Sequence, residues 1–368
     1  MAILQAASLP AALTREAPAP SLVPNASAEP LRVAVASEGE GQAWDDFISR
    51  HSGASGYHAW AWRGVFRRAF GHESIYLIAR QGDTIRGVLP LVQINSILFG
   101  RSLTSLPFLN YGGVVALDEA VAQALADEAA KVARARRCRH VELRHVARQV
   151  PALPCKQHKV TMLLDLEPGM WEQLDRKVRN QIRKAQKSEL TSEIGGADLL
   201  EDFYTVFARN MRDLGTPVYS CQWFAEVVQA FPQRARIHVV RLHGKAIAAG
   251  LSFRTGTTIE VPWASSIRDH IALCPNHLLY WSIIEFATES GCRQLDFGRS
   301  TPGEGTFKFK EQWGASPVPL HWEYPWADGG VPNVHPTNPK FALAVATWQR
   351  LPLVVATRIG PRIACDLP

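Results

Sequence analysis

The sequence predicts an α/β (α+β) protein of two similarly built domains, each a mixed sheet dressed with helices. Three observations carry this. At roughly 150 residues per domain, 368 residues suggest two domains rather than one or four. Helical periodicity alternates with short extended runs along most of the chain. The two halves also echo each other: Ile75-YLIARQGDTIRGVLP-Leu91 resembles Ile237-HVVRLHGKAIAAGLS-Phe253, with Gly82 on Gly244 and Ile85 on Ile247. Later, Cys138-Arg-His-Val-Glu-Leu143 matches Cys292-Arg-Gln-Leu-Asp-Phe297 in the same order, which suggests an internal duplication.

Element by element, residues 1–30 are Ala-, Pro- and Ser-rich without a sustained period and are expected to form a flexible leader. The first domain, 31–158, begins with helices over Trp44–Arg50 and Trp60–Phe70. Strands follow at Ile75–Ala79 and Val88–Ile97, turned at Gly82-Asp83. A helix near Asp118–Arg137 leads to a strand at His140–Arg144. Asn110-Tyr-Gly-Gly113 between them reads as a loop lining a cleft or as a simple turn.

The second domain, 159–326, starts with a strand at Thr161–Leu166 and a basic helix to Lys187. A strand at Leu190–Ile194 and helices at Ala197–Leu214 and Gln222–Ala230 come next. Arg236–Leu242, Ala246–Phe253 and Thr258–Ala264 read as successive strands joined at His243-Gly244 and Thr255-Gly256. A helix at Asn276–Glu289 is stopped by Gly291 and precedes a strand at Gln294–Phe297. Residues 327–368 form a C-terminal extension. Antiparallel strands, a helix and another strand in each half describe a GNAT-type unit better than a doubly wound nucleotide fold, and the Walker and G-x-G-x-x-G patterns are absent.

Composition narrows the classes. Hydrophobic residues are 46% and charged residues 20%, which excludes wholesale disorder and collagen-like repeats. The longest apolar candidate, Phe341–Thr357, is cut by Gln349, Arg350 and Pro352, so it falls short of a membrane helix. No secretory signal is evident, which makes the cytoplasm the expected location. Six scattered cysteines without a C-x-x-C pair fit reduced thiols, and no metal site is expected. A net charge of +6 weakly favours an anionic partner.

That charge gathers on Arg176–Lys187. Val178, Ile182 and Ala185 form its apolar stripe, and Arg176, Arg179, Arg183 and Lys187 share another face. Guanidinium forks at helical spacing suit a diphosphate or a nucleic-acid backbone, and a solvated basic face would look the same. A second candidate is Asp296-Phe-Gly-Arg-Ser300, which ends a strand and opens into Thr301-Pro-Gly-Glu-Gly305. Phe307 and Phe309 alternate with Lys308 and Lys310, so an extended conformation would point both lysines one way. A lysine beside a reacting carbonyl can stabilise the tetrahedral oxyanion. Asp296 is either a proton relay or a structural carboxylate paired to Arg299. His321-Trp-Glu323 resembles half of a zinc-deaminase signature but lacks its C-x-x-C partner, and reads as a packed edge strand.

Taken together, Arg176-KVRNQIRK-Ala185, Asn276-His-Leu-Leu-Tyr-Trp281, Asp296-Phe-Gly-Arg-Ser300 and Gly305-TFKFKEQW-Gly314 resemble FemAB-type proteins with tandem GNAT-like domains. Asn338-Pro-Lys-Phe341, Trp348-Gln-Arg-Leu-Pro352 and Gly360-Pro-Arg-Ile363 are similar to the subgroup associated with PEP-CTERM/exosortase exopolysaccharide loci. The resemblance implies two tandem GNAT-like domains and N-acyl transfer onto an amine. It makes Lys310, in the Phe309-Lys310 pair, the first catalytic candidate, with Asp296 orienting groups or relaying a proton. It makes Arg179, Arg183 and Arg299 candidate phosphate or carboxylate clamps. Lys184, Lys308, Tyr111, Tyr280 and Trp313 complete the candidate substrate contacts.

No tightly bound cofactor is implied. The donor is expected to be acyl-CoA or aminoacyl-tRNA, and the acceptor a small molecule or glycan precursor. No DNA partner is expected. Peripheral contact with the inner membrane face is a smaller expectation for Phe341–Ile363, and a charged coiled-coil arm is absent. The reading of a different class is a non-enzymatic RNA- or membrane-surface-binding protein on a degenerate GNAT scaffold.

Overall fold

The computed structural model describes residues 29–96, 100–328, 330–331 and 339–367. The first half runs β1 (Leu31–Val35), α1 (Gly41–Ser49), α2 (Trp62–Phe70), β2 (Glu73–Gln81), β3 (Thr84–Ser96), β4 (Gly100–Thr104), β5 (Val115–Ala116), α3 (Glu119–Ala135), β6 (His140–His145) and β7 (Cys155–Lys156). The second begins with β8 (Val160–Asp165), α4 (Met170–Gln173), α5 (Arg176–Lys187), β9 (Leu190–Gly195), α6 (Leu200–Leu214), α7 (Cys221–Ala230), β10 (Ala235–Leu242), β11 (Lys245–Thr255) and β12 (Thr258–Ser266). It ends with α8 (Pro275–Glu289), β13 (Gln294–Ser300), α9 (Gly305–Glu311), β14 (Ser316–Pro319), β15 (His321–Ala327), α10 (Pro339–Gln349) and α11 (Leu353–Ala364).

Two mixed sheets follow one plan. The first is ordered β1-β2-β3-β4-β6-β15-β7, with β5 on β3, and the second β9-β10-β11-β12-β13-β8-β14. Antiparallel neighbours lead in each case to one parallel pair, β4 with β6 and β12 with β13. The hairpin echo is one residue out of step: the turns occupy 82–83 and 243–244, so Gly82 and Gly244 are not equivalent turn positions.

The chain crosses over at its end. β8 pairs with β13 in the second sheet, whereas β15 pairs antiparallel with β6 in the first. The last strand of the stretch 159–326 therefore completes the first sheet. Nor is β15 an edge: β7 lies on its other side, and Glu323 is fully buried. Short or polar strands such as β4 and β7 carry too few apolar residues to announce themselves in the sequence.

Local chemistry sets the helices. Asp175 caps α5 by accepting the Lys177 N–H at 2.6 Å, and Val178, Ile182 and Ala185 bury the apolar stripe against the second core. Asp118 caps α3 in the same way through Val121 N–H. A single aromatic-rich core joins the halves: Tyr57, Trp62, Phe66, Phe108 and Tyr111 from the first pack with Phe203, Trp223, Phe224, Phe253 and Trp263 from the second. That shared core fixes the two sheets relative to each other and so shapes what lies between them.

Candidate active site

Where β12 and β13 run parallel, Glu260 lies opposite Asp296, and their pairing ends there although both strands continue. The strands part at a carboxylate pair. On the other side of β13 the register with β8 shifts between Asp296 and Arg299. Gly298 sits in that irregularity at φ +77°, a left-handed conformation open to glycine. The resulting bend lets Asp296 accept a hydrogen bond from Gly298 N–H at 2.7 Å.

Asp296 and Glu260 are both buried, and one hydroxyl joins them. Tyr111 Oη lies 2.7 Å from Glu260 Oε1 and 2.9 Å from Asp296 Oδ2. Thr161 donates to Asp296 Oδ1 at 2.5 Å, whereas Glu260 Oε2 is buried without a hydrogen-bond partner among the described residues. Burial first, and then the neighbouring Asp296, push the Glu260 carboxyl up to about 8. Burial raises Asp296 too, against the hydrogen bonds that favour its charge. Asp296 is held by Thr161, Gly298 and Tyr111, and no ion pair with Arg299 is formed among the described residues.

Residues 301–311 do not extend. Glu304 is the N-cap of α9, and Phe307, Lys310 and Trp313 follow at helical spacing, turned toward the second core. The Phe–Lys alternation therefore separates the lysines instead of aligning them: Lys308 is exposed and Lys310 is only 7% exposed. Lys310 Nζ donates to the Gly298 carbonyl at 2.8 Å and the Arg299 carbonyl at 3.1 Å. An ammonium has three donors, so one is not used by these two carbonyls. Burial lowers this lysine to about 8, with Asp296 opposing the shift.

A cavity of about 350 Å³ between the halves is lined by Tyr111, Gly112, Gly113, His145, Thr161, Glu260 and Asp296, among others. The Asn110–Gly113 segment is thus a cleft-lining loop. A Cβ at Gly113 would overlap the His145 ring, so only glycine permits that approach. His145 is a structural latch: its Nε2 accepts from Val114 N–H at 2.9 Å, and its Nδ1 lies 3.1 Å from Glu323 of β15.

Two arginines and a histidine ring gather nearby around Trp322. The Arg144 and Arg299 guanidinium carbons lie 4.4 and 5.6 Å from its ring centroid, and the His158 ring lies 4.5 Å away. Arg144 is paired with Glu142 at 2.7 Å, but Arg299 Nη1 and Trp322 Nε1 are buried without partners among the described residues. Burial and then Arg144 draw Arg299 down to about 10, and burial and Arg299 lower Lys159. Two unpartnered donors, one of them on an arginine without a carboxylate partner among the described residues, suit an anionic group.

The other sequence candidates lie elsewhere. Tyr280 and Trp313 pack with Phe297 and Phe309 beneath α9 and support Lys310 through packing. Arg183 and Lys184 are exposed on α5, with Arg183 against Trp171 at 5.2 Å, and Arg179 is half-buried. Sequence reasoning missed Glu260, Thr161 and Trp322. Glu260 carried a signal, a lone acid between Ile259 and Val261 in an apolar strand; Thr161 and Trp322 carried none. Among the described residues no cluster of His, Cys, Asp and Glu is placed to hold a metal ion.

Residues 173–311 match the model of the acetyltransferase (GNAT) domain family. No curated protein matches the chain. Among solved structures, the chain is similar to FemX at 14% identity and a TM-score of 0.63, covering 81% of this chain and 98% of that one. A tandem GNAT protein from the clavulanic acid biosynthesis pathway matches at 11% identity and a TM-score of 0.52, over 83% and 100% of the chains. L-PGS from Bacillus licheniformis matches at 11% identity and 0.51, over 84% and 97%. The fold is that of two tandem GNAT-like units with mixed sheets.

Proposed function

We propose that this protein is an N-acyltransferase, of the acyl or aminoacyl kind, with its reaction centre at the parting of β12 and β13. The observation that carries the reading is the buried pair Glu260 and Asp296 on one tyrosine hydroxyl, with Lys310 anchored on the Gly298 and Arg299 carbonyls close by. The acetyltransferase-domain match over 173–311 spans Glu260, Asp296 and Lys310.

In this mechanism an acceptor amine attacks the carbonyl carbon of an activated ester or thioester. The carbonyl oxygen becomes an oxyanion, stabilised by the remaining Lys310 N–H. Glu260, in its ionised form, takes the proton lost by the amine. The C–O or C–S bond then breaks, the amide forms, and the Glu260 proton returns to the leaving oxygen or sulfur. Asp296, fixed by Thr161 and Gly298, holds Tyr111 against Glu260 and orients the pair.

The donor is acyl-CoA or aminoacyl-tRNA, with no tightly bound cofactor. The acceptor is an amine of a cell-envelope or exopolysaccharide precursor, as the exosortase-associated motifs imply, and its anionic group is taken by Arg299 and Trp322. With donor and acceptor supplied, Lys310→Met lowers kcat by about 10²- to 10³-fold and leaves acceptor binding near wild type. An unchanged rate removes Lys310 from the site.

A further inference from the structure

Apolar surface is unevenly distributed. Of the twelve most exposed large apolar side chains among the described residues, six lie on α10 and α11: Leu343, Val345, Val354, Val355, Ile359 and Ile363. Leu343 is 72% and Val354 78% exposed. These side chains are concentrated on two consecutive helices that both pack on α6.

The two sides of α11 are chemically distinct. Ala356, Gly360 and Ala364, at i, i+4 and i+8, are buried, and Gly360 packs so closely that a Cβ would sit 3.0 Å from Val218 N. Val355, Ile359 and Ile363 repeat the same spacing on the outward face, beside a parallel row of Val354, Arg358 and Arg362. On α10, residues 342–346 are all exposed, and no charged residue stands between Lys340 and Arg350. Neither helix contains an acidic residue, while Lys340, Arg350, Arg358 and Arg362 are basic. The pair is nonetheless firmly held: Arg212 donates to the Leu351 carbonyl at 3.1 Å, Gln349 to the Asp213 carbonyl at 3.2 Å, and His72 meets the Cys365 carbonyl at 2.9 Å.

We propose that α10 and α11 form a rigid docking surface for an anionic lipid membrane, with the outward apolar residues entering the interface and the arginines on lipid phosphates. A row of β-branched side chains flanked by arginines is the composition of an interfacial helix. No helix among the described residues is long and apolar enough to cross a membrane, so the helices lie on the surface. A second copy of the chain fits worse, because an isologous contact would bring arginine rows together with no carboxylate to pair them.

The test is co-sedimentation of the full chain with phosphatidylcholine vesicles and with mixed phosphatidylcholine–phosphatidylglycerol vesicles, together with its mass in solution. The expected result is binding to the mixed vesicles, weakened by salt and by at least about tenfold in both V354E/I359E and R358E/R362E. All four positions are outward-facing, so an unchanged Tm separates lost docking from lost folding. The proposal is overturned if the wild type stays in the supernatant with both vesicles, binds neutral vesicles equally, or is bound as tightly in the variants. A dimer dissolved by V354E/I359E would assign the face to a second copy and overturn it too.

Discussion

Glu260 is the residue on which the chemistry turns, because its buried carboxyl must be ionised to take the proton of the amine. Its folded pKa of about 8 lies above the ordinary carboxylate value of 4.5, so the folded state binds the extra proton. The stability this contributes is complete below 4.5 and is lost as pH rises through about 8. Glu260→Gln removes the dependence while keeping the shape. The Tm of the variant relative to wild type therefore climbs across that window and levels above it, which thermal melts at a series of pH values would check. A gap independent of pH would mean that Glu260 is not a buried acid with a raised pKa. For the reaction, Glu260 must be ionised and Lys310 protonated, and both change near 8, so kcat/KM of the wild type is bell-shaped about that pH and the Glu260→Gln variant loses the rising limb.

Among the elements, α9 and the bend in β13 place Lys310 and Asp296. Both residues were legible in the sequence because they sit at a strand end and in a phenylalanine–lysine repeat. The conformation of the repeat was not legible, since Phe-Lys-Phe-Lys satisfies a two-residue period as well as one turn of helix. Burial of Phe307, Lys310 and Trp313 on one side decided for the helix. Glu260 escaped for a different reason: its partner Asp296 is 36 residues away in sequence, and only the parallel register brings them level. The bend depends on Gly298, where a Cβ would meet Asn110 Nδ2 at 2.9 Å and the Val261 carbonyl at 3.1 Å. Gly298→Ala should cost about 1–3 kcal/mol in denaturant unfolding and lower turnover by displacing the carbonyl that holds Lys310.

Across the whole molecule, two units share one topology and differ in chemistry. In the first unit the counterpart of the Glu260–Asp296 register is Thr104–Glu142, and Glu142 is neutralised by Arg144 and bonded by Tyr324 at 2.8 Å. Only the second unit keeps two carboxylates there without a paired cation, and the first contributes Tyr111 across the cleft. The echoes of the two halves were readable from residues 75–91 and 138–143, but the crossover of β15 was not, because nothing in His321–Ala327 states which sheet it will join. The shared core makes the halves one cooperative body. Trp62 is fully buried against Phe66, Trp223, Phe231 and Phe253, and Trp62→Ala should cost about 3–5 kcal/mol while leaving a single unfolding transition. Two separated transitions would show that the units unfold independently.

The most direct measurement is donor binding: titration of the purified full chain with acetyl-CoA, a long-chain acyl-CoA and aminoacyl-tRNA in separate experiments, followed by tryptophan fluorescence. Acyl transfer at the parted strands predicts saturable binding of a CoA ester or of aminoacyl-tRNA, with the bound donor competent to acylate an amine in the wild type and much less so in Lys310→Met. No saturable change with any of the three donors would contradict it and leave the cleft as a binding site on a scaffold without this chemistry.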